Sequence, residues 1–133
     1  MIPATLNLNE ARLHLPIVLM SFGVKSGQLF PPADLYLDCR GCADPSHVMS
    51  GTGDDPEVQE WVWDRSANIL QAYRGLIWES ISRLTTRRGA GKEFDKPFVI
   101  LTMCAHGIHR SRAMKHILGR WLRADGFSQV EVK

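Results

Sequence analysis

Apolar residues follow two patterns along the chain, and each pattern predicts one type of secondary structure. Short runs that are apolar at nearly every position predict buried strands at residues 16–21, 34–38, 97–103 and 127–132. The run at 97–103 has the composition of a central strand that is covered on both faces. Residues 41–56 are rich in glycine, serine, aspartate and proline, which predicts an ordered loop.

Apolar residues at spacings of three and four predict two amphipathic helices. The first begins at Asp55, whose carboxylate can accept hydrogen bonds from first-turn amides, and Pro56 suits the first helical position. Its predicted apolar face comprises Val58, Trp61, Val62, Ile69, Tyr73, Leu76, Ile77, Ile81 and Leu84. Residues 87–89 mark its end. The second helix runs from about residue 110 to 124, with Gly126 as its C-cap.

The order of these elements predicts the fold class. Strand, strand, long helix, strand, helix and strand predict an α/β domain of three layers with a largely parallel central sheet. The 133 residues fit a single domain over 1–133, with its core between about 16 and 132. Ligands of such sheets bind at the carboxyl ends of the strands. We therefore expect functional loops after Ser21, Asp38 and Met103.

Composition excludes several classes of protein. The sequence is 44% hydrophobic and 23% charged, which excludes a disordered or collagen-like chain. No apolar run reaches the length of about 20 residues that a membrane helix needs, and the first residues do not form a signal peptide. The three cysteines are too few, and odd in number, for a disulfide scaffold. We therefore expect a cytoplasmic protein with reduced thiols and no membrane partner.

The strongest chemical signal is the segment Cys104-Ala-His-Gly-Ile-His-Arg-Ser111, between the predicted central strand and the second helix. A tight loop that leads into a helix turns successive amides inward, and the helix dipole reinforces their attraction for an anion. Gly107 gives the loop conformational freedom, while Arg110 and Ser111 add a guanidinium and a hydroxyl donor. The predicted phosphate-binding residues of this loop are Cys104, Ala105, His106, Gly107, Ile108, His109, Arg110 and Ser111.

The same loop supports a catalytic alternative. Cys-x5-Arg-Ser is the phosphate loop of cysteine-dependent phosphatases, in which the thiolate attacks phosphorus and the arginine holds the equatorial oxygens. Cys104 and Arg110 would fill these roles, since amides, dipole and guanidinium all lower a thiol pKa. An aspartic acid must also protonate the leaving group. The sequence singles out none of the candidates, which are Asp38, Asp44, Asp54, Asp55 and Asp95.

Three blocks of sequence together resemble a known family. Ser21-Phe-Gly-Val-Lys-Ser-Gly27 comes first, followed by Asp38 with Arg40, then Asp44-Pro45 with His47, and finally the Cys104–Ser111 loop. This order resembles the C-terminal domain of the RNase adapter protein RapZ family from about residue 16 to 132. The family's nucleotide-binding domain is not matched, and no Gly-x4-Gly-Lys-Ser/Thr motif occurs. We therefore expect a stand-alone domain without an ATP or GTP site.

The resemblance implies a function and a set of site residues. The family's domain senses glucosamine-6-phosphate and engages a small regulatory RNA and protein partners. By resemblance, the amino-sugar-phosphate pocket would comprise Asp38, His47, Ala105, His106, Gly107, His109, Arg110 and Ser111. No cofactor is implied, and association into a homo-oligomer stays open.

Two further features have ordinary structural explanations that compete with functional ones. Cys39-Arg-Gly-Cys42 is most simply a pair of coincidental thiols at a strand end; a redox-sensitive pair is the alternative, and no metal site is predicted. Trp63 and Trp78 lie off the apolar helix stripe, which indicates a protein contact.

The basic residues of the second helix leave RNA binding as a further alternative. The net charge of +2 and the pI near 8.6 are too modest to indicate a nucleic-acid-binding protein. Arg112, Lys115, Arg120 and Arg123 are expected to form a solvated face, with RNA phosphate contacts as the less favoured interpretation.

Overall fold

The computed structural model describes residues 4–88 and 96–133, which form three helices and four strands. The elements are α1 (Ala4–His14), β1 (Ile17–Gly23), β2 (Leu35–Asp38), α2 (Pro56–Arg88), β3 (Phe98–Cys104), α3 (Arg110–Ala124) and β4 (Val130–Val132). Short 3-10 turns occupy Val24–Ser26 and Pro45–His47. The predicted α/β class with a parallel sheet is confirmed.

The four parallel strands lie in the order β2-β3-β1-β4. At one end of the sheet, Gly23 of β1 lies opposite Cys104 of β3, and Asp38 of β2 lies opposite Met103 of β3. The carboxyl ends of three strands therefore share one edge. This register brings together the three loops in which the sequence predicts function.

One face of the sheet carries the main hydrophobic core. Alternate strand residues point to opposite faces, and the fully buried strand residues of this face include Ile17, Leu19, Leu37 and Ile100. α3 packs across β1, β3 and β4 on this face, and its large buried apolar residues are Met114, Ile117, Leu118 and Leu122. Burying each such side chain contributes about 1.5–3 kcal/mol, so this contact fixes α3, and the loop before it, against the sheet.

In the described part of the chain, the opposite face of the sheet is covered by a loop segment and not by a helix. Phe30, in the segment between β1 and β2, packs edge-on against Phe22 at a centroid distance of 5.0 Å and lies 6.3 Å from Tyr36. Leu101 of the central strand is fully buried on this side. The segment leaves part of this face open, since Phe30 and Tyr36 remain 49% and 41% exposed.

The helix α1 is absent from the sequence prediction. Its apolar residues do not line up on one face, and Ala11 is its one buried side chain among residues 8–14, so no amphipathic stripe marks it. Contacts distant in sequence hold it: Arg12 Nε donates to the Asp125 carbonyl (3.1 Å), and the Ser128 amide donates to the Arg12 carbonyl (2.9 Å).

α2 is bent at Ser66, whose φ of −128° and ψ of 20° are not helical. The Ser66 hydroxyl accepts a hydrogen bond from the Ala43 amide (2.9 Å), so the bend connects α2 to the loop after β2. Although α2 has 33 residues, no helix within 4–88 and 96–133 is both long and apolar enough to cross a membrane.

Three expectations for α2 are wrong in detail. The Asp55 carboxylate accepts from the Thr52 amide (2.8 Å), so it closes a preceding turn and does not cap the helix. Leu76, predicted on the apolar face, is 43% exposed. The two off-stripe tryptophans pack within the chain: Trp63 lies edge-on against Trp121 (4.6 Å), and Trp78 lies against Phe127 (5.7 Å). Gly89, predicted at the end of α2, lies outside the described residues.

The chain after α3 is less regular than predicted. Asp125 caps the helix and Gly126 follows with a φ of 101°, a conformation that favours glycine. Phe127 is buried, but the strand β4 covers only Val130–Val132.

Replacing Gly75 by alanine should stabilise the protein. Gly75 is exposed in the middle of α2, and a Cβ there would meet nothing within 4 Å. Because alanine loses less backbone entropy than glycine in a helix, we expect the free energy of unfolding to rise by about 0.5–1 kcal/mol. Urea unfolding of both proteins measures this difference, and an unchanged or lower midpoint would contradict it.

Candidate functional site

The candidate site is the loop between β3 and α3, which lies against the end of β1. Gly107 adopts a φ of 71°, and a Cβ there would be 2.6 Å from the Gly23 backbone nitrogen. The Lys25 amide also donates to the Ala105 carbonyl (2.8 Å). Glycine at 107 therefore satisfies both the backbone conformation and the close approach of two chain segments.

The loop that leads into α3 presents unused hydrogen-bond donors. The N-cap residue of α3, His109, makes no capping hydrogen bond with its side chain. Among residues 4–88 and 96–133, the amides of His106, Ile108 and His109 have no acceptor. Free amides at a helix N-terminus, combined with the helix dipole, attract an anion.

Cys104 lies beneath this loop and is almost fully buried. A hydrogen bond joins its Sγ to the Ser111 hydroxyl (3.1 Å), and the Gly107 amide donates to Sγ (3.3 Å). Burial raises the pKa of the Cys104 thiol, but hydrogen bonds from Ser111 and Gly107, together with the charge of Arg110, outweigh burial and lower the pKa below its ordinary value. The loop therefore stabilises negative charge.

Arg110 reaches from α3 to the loop after β2. Its Nη1 donates to the Arg40 carbonyl (2.8 Å), and its Nη2 lies 4.0 Å from Asp44 Oδ2. The side chain is only 16% exposed, so its position is well defined. Because a guanidinium has five N–H donors, these two contacts leave donors that can face a ligand.

Arg110 and the loop enclose a small cavity of about 80 Å³. Its lining residues are Asp44, Ser46, Cys104, His106, Ile108, His109 and Arg110. A cavity needs only about 10–15 Å³ of this kind of volume to hold one water molecule, so the cavity has room for a phosphate group.

The structure brings together part of the predicted site. Five of the ten predicted binding residues line the cavity: Cys104, His106, Ile108, His109 and Arg110. Ala105, Gly107 and Ser111 belong to the same loop and fix its shape through the contacts described above.

Asp38 and His47 lie off the cavity wall. Asp38 forms a salt bridge with Arg40 (2.7 Å), and the hydrogen bond from Arg40 lowers the pKa of the Asp38 carboxyl. His47 ends an exposed 3-10 turn. Their assignment as ligand-binding residues remains a prediction.

Two residues of the cavity, Asp44 and Ser46, are missing from the predicted binding set. Asp44 Oδ1 accepts a hydrogen bond from the Ser46 amide (3.0 Å), and this bond, with Arg110 nearby, lowers the pKa of Asp44. An aspartate two residues before serine in a proline-containing turn is the local signal for this contact. The signal predicts the turn, whereas the nearness to Arg110 depends on the fold.

The structure also distinguishes among the five aspartates that could act as the general acid of a phosphatase. Asp44 alone among the five lies on the cavity wall in the described ranges. Asp54 bonds His116 (2.9 Å) and pairs with Arg112 (3.4 Å), while Asp55 closes its own turn. Asp95 lies outside the described residues.

The basic residues of α3 form a solvated face only in part. Lys115 is buried, and its Nζ donates to Ser21 Oγ (3.0 Å). Arg120 and Arg123 are exposed, although Arg120 donates to Gln59 Oε1 (2.6 Å) and Arg123 donates to the Val130 carbonyl (2.9 Å). The expectation is therefore wrong for Lys115, and RNA contacts by the exposed arginines stay a prediction.

Comparison with known proteins places the chain in a family. A family model described as the RapZ C-terminal domain matches residues 15–133. The chain is 31% identical over 120 residues to a nucleotide-binding protein of Symbiobacterium thermophilum, with 86% of this chain and 37% of that protein covered. It is 33% identical over 128 residues to one from Streptomyces griseus (92% and 37% covered) and 35% identical over 118 residues to one from Frankia alni (85% and 38%).

The chain spans less than two fifths of the length of these curated relatives, whereas the family match covers nearly all of the chain. The matched residues include all three strand ends and the loop that form the candidate site. The chain belongs to the RapZ C-terminal domain family.

Proposed function

We propose that this domain binds a small phosphorylated metabolite, with the phosphate held by the loop between β3 and α3. The observation that carries the proposal is the uncapped start of α3, where free amides of the preceding loop adjoin a cavity beside Arg110. Amides and a guanidinium are the donors that proteins use for phosphate. The sugar of the ligand would extend towards the open side of the cavity.

An amino-sugar phosphate fits the charges better than a neutral sugar phosphate. Asp44 lies on the cavity wall, with its carboxyl pKa lowered by the Ser46 amide, and it is therefore ionised at neutral pH. A carboxylate repels a phosphate but attracts an ammonium group. A ligand with both groups, such as glucosamine-6-phosphate, would match the donors and the carboxylate together.

The family supports a regulatory adapter-type role for the domain. We infer that the ligand acts as a signal and that its binding changes contacts with a protein or RNA partner. Such a sensor needs different affinities for the ligand in two states, and it needs no catalysis. Three buried free thiols in the described residues are consistent with the cytoplasmic location that we propose.

A selectivity experiment tests the ligand class. Calorimetry should show glucosamine-6-phosphate binding at least about tenfold more tightly than glucose-6-phosphate, as expected for one charge-assisted contact. In Asp44→Asn the preference should disappear, while inorganic phosphate binds at least as well as before. Asp54→Asn is the matched control, because Asp54 lies away from the cavity. Folded protein that gives no heat with any of the three ligands would contradict the proposal.

A cysteine-dependent phosphatase is the second candidate, favoured by the lowered pKa of the Cys104 thiol beside Ser111. The cavity offers a poor general acid, however. An aspartate needs a raised pKa to hold a proton at neutral pH, whereas the pKa of Asp44 is lowered by the Ser46 amide, so Asp44 has no proton to give to a leaving group.

We therefore expect no turnover of p-nitrophenyl phosphate at neutral pH. Phosphate release measured over hours, with Cys104→Ser as the blank, checks this expectation. Turnover that disappears in Cys104→Ser would favour the phosphatase over the sensor.

A further inference from the structure

The turn that follows β2 brings two buried cysteines together. Cys39 is fully buried and Cys42 is 5% exposed. The Cys42 amide donates to the Cys39 carbonyl (3.1 Å), which closes a four-residue turn. Such a turn holds its first and fourth Cα atoms within about 7 Å, and disulfides form at Cα separations of about 4.4–6.8 Å. The backbone therefore already has a geometry near that of a disulfide.

The two thiols differ in chemical character. The Cys39 Sγ donates to the Leu37 carbonyl (3.5 Å). The interaction with the Cys39 thiol, assisted by the Ser66 hydroxyl and the charge of Arg110, lowers the pKa of Cys42 in spite of burial. The interaction with the Cys42 thiol, together with burial, raises the pKa of Cys39. Cys42 is thus the better nucleophile, and Cys39 keeps its proton until Cys42 has formed a mixed disulfide.

This turn also anchors Arg110. Arg40 lies between the two cysteines, and its carbonyl accepts the hydrogen bond from Arg110 Nη1 (2.8 Å). On the two flanks of the turn, the Cys39 amide donates to the Met103 carbonyl (2.6 Å) and the Ala43 amide donates to the Ser66 hydroxyl (2.9 Å). Because both flanks are held, we expect a change inside the turn to move the Arg40 peptide.

We propose that Cys39 and Cys42 form a reversible disulfide, and that its formation weakens anion binding by displacing the Arg40 carbonyl that anchors Arg110. A disulfide draws the two sulfurs to about 2.05 Å, far closer than a hydrogen-bonded contact, and so the turn has to tighten. The disulfide itself is independent of the function proposed above, whereas its effect on anion binding rests on that function.

The oxidant is a low-molecular-weight disulfide. The Cys42 thiolate attacks one of its sulfurs, forms a mixed disulfide and releases the first small thiol. The Cys39 thiol then loses its proton and attacks the Cys42 sulfur, which releases the second small thiol. In sum, two protein thiols are oxidised to one disulfide while one small disulfide is reduced to two thiols.

Counting thiols tests the disulfide. The folded protein is equilibrated with mixtures of oxidised and reduced glutathione, quenched with acid, unfolded, alkylated and analysed by mass spectrometry. Wild type and Cys104→Ser should each lose two alkylatable thiols and yield a peptide linking Cys39 to Cys42. Cys42→Ser and Cys39→Ala should form no internal link. Three alkylatable thiols in wild type at every ratio, or a link that includes Cys104, would overturn the proposal.

Calorimetry with inorganic phosphate tests the coupling. Oxidation should raise the Kd of wild type about tenfold, as expected when one charge-assisted hydrogen bond is impaired. The same treatment should leave Cys42→Ser unchanged. An equal Kd for reduced and oxidised wild type would overturn the coupling. If the reduced protein bound no phosphate, the proposed function would fail and the coupling with it, whereas the thiol count would still decide the disulfide.

Discussion

Replacing Arg110 by alanine should weaken phosphate binding about 100-fold. Among the residues that the structure describes, this guanidinium is the one arginine or lysine cation on the cavity wall, and its position is held by the Arg40 carbonyl. A charge-assisted hydrogen bond to an anion contributes about 1.5–3 kcal/mol, and loss of about 2.7 kcal/mol corresponds to a factor of 100. Calorimetric titration with inorganic phosphate and glucosamine-6-phosphate measures the loss, which should be similar for both ligands.

Arg112→Ala is the matched control for this variant. It removes the same charge from the same helix, but Arg112 pairs with Asp54 (3.4 Å) and lies off the cavity wall. Its effect on the Kd should stay below about threefold, as for an exposed charge near a binding site. Equal losses in the two variants would show that general electrostatic attraction, and not a clamp by Arg110, governs binding.

The part of the site that is local in sequence was predictable. Cys104, Gly107 and Arg110 belong to one strand–loop–helix connection, in which residue type and spacing determine the arrangement of donors. The parallel sheet was predictable for a similar reason, because continuous apolar runs alternate with a helical pattern. The cavity wall supplied by Asp44 and Ser46 was not, since it depends on β2 lying beside β3.

Long-range contacts also explain the other differences between prediction and structure. Lys115 has the composition of a solvated residue, but Ser21 of β1 provides a buried hydrogen-bond partner for its Nζ. The bend at Ser66 interrupts the helical period of α2. Trp63, which the periodicity places off the apolar stripe, precedes this bend. The periodicity argument assumes an uninterrupted helix. Neither the bend nor the hydrogen bond that the Ser66 hydroxyl accepts from the Ala43 amide has a local signal in the sequence.

The contact between the end of β1 and the loop determines whether the donors of the loop converge. Gly23 lies beside Cys104 in the sheet, and a Cβ at Gly23 would be 2.5 Å from the His106 carbonyl oxygen and 2.9 Å from the Gly107 nitrogen. These neighbours are backbone atoms, which cannot rotate away as a side chain can. The free amides of the loop and the hydrogen bond from the Gly107 amide to the Cys104 thiol lie in the same short segment.

Gly23→Ala should therefore destabilise the domain and also weaken anion binding. Overpacking of a well-packed site typically costs about 1–3 kcal/mol, and we expect the upper end because backbone must move. The φ of Gly23 is −101°, which alanine adopts readily, so the loss would come from the steric contact alone. Displacement of the loop should raise the Kd for phosphate by at least about tenfold, since the donors no longer converge.

Gly75→Ala separates this effect from that of removing any glycine. It introduces the same methyl group at a site with no neighbour within 4 Å, and it should leave the Kd for phosphate unchanged while raising stability. Urea unfolding and calorimetry on both variants give the two quantities independently. If Gly23→Ala unfolded at the wild-type midpoint and bound phosphate normally, the loop would not depend on close packing against β1, and the convergence of its amides would need another cause.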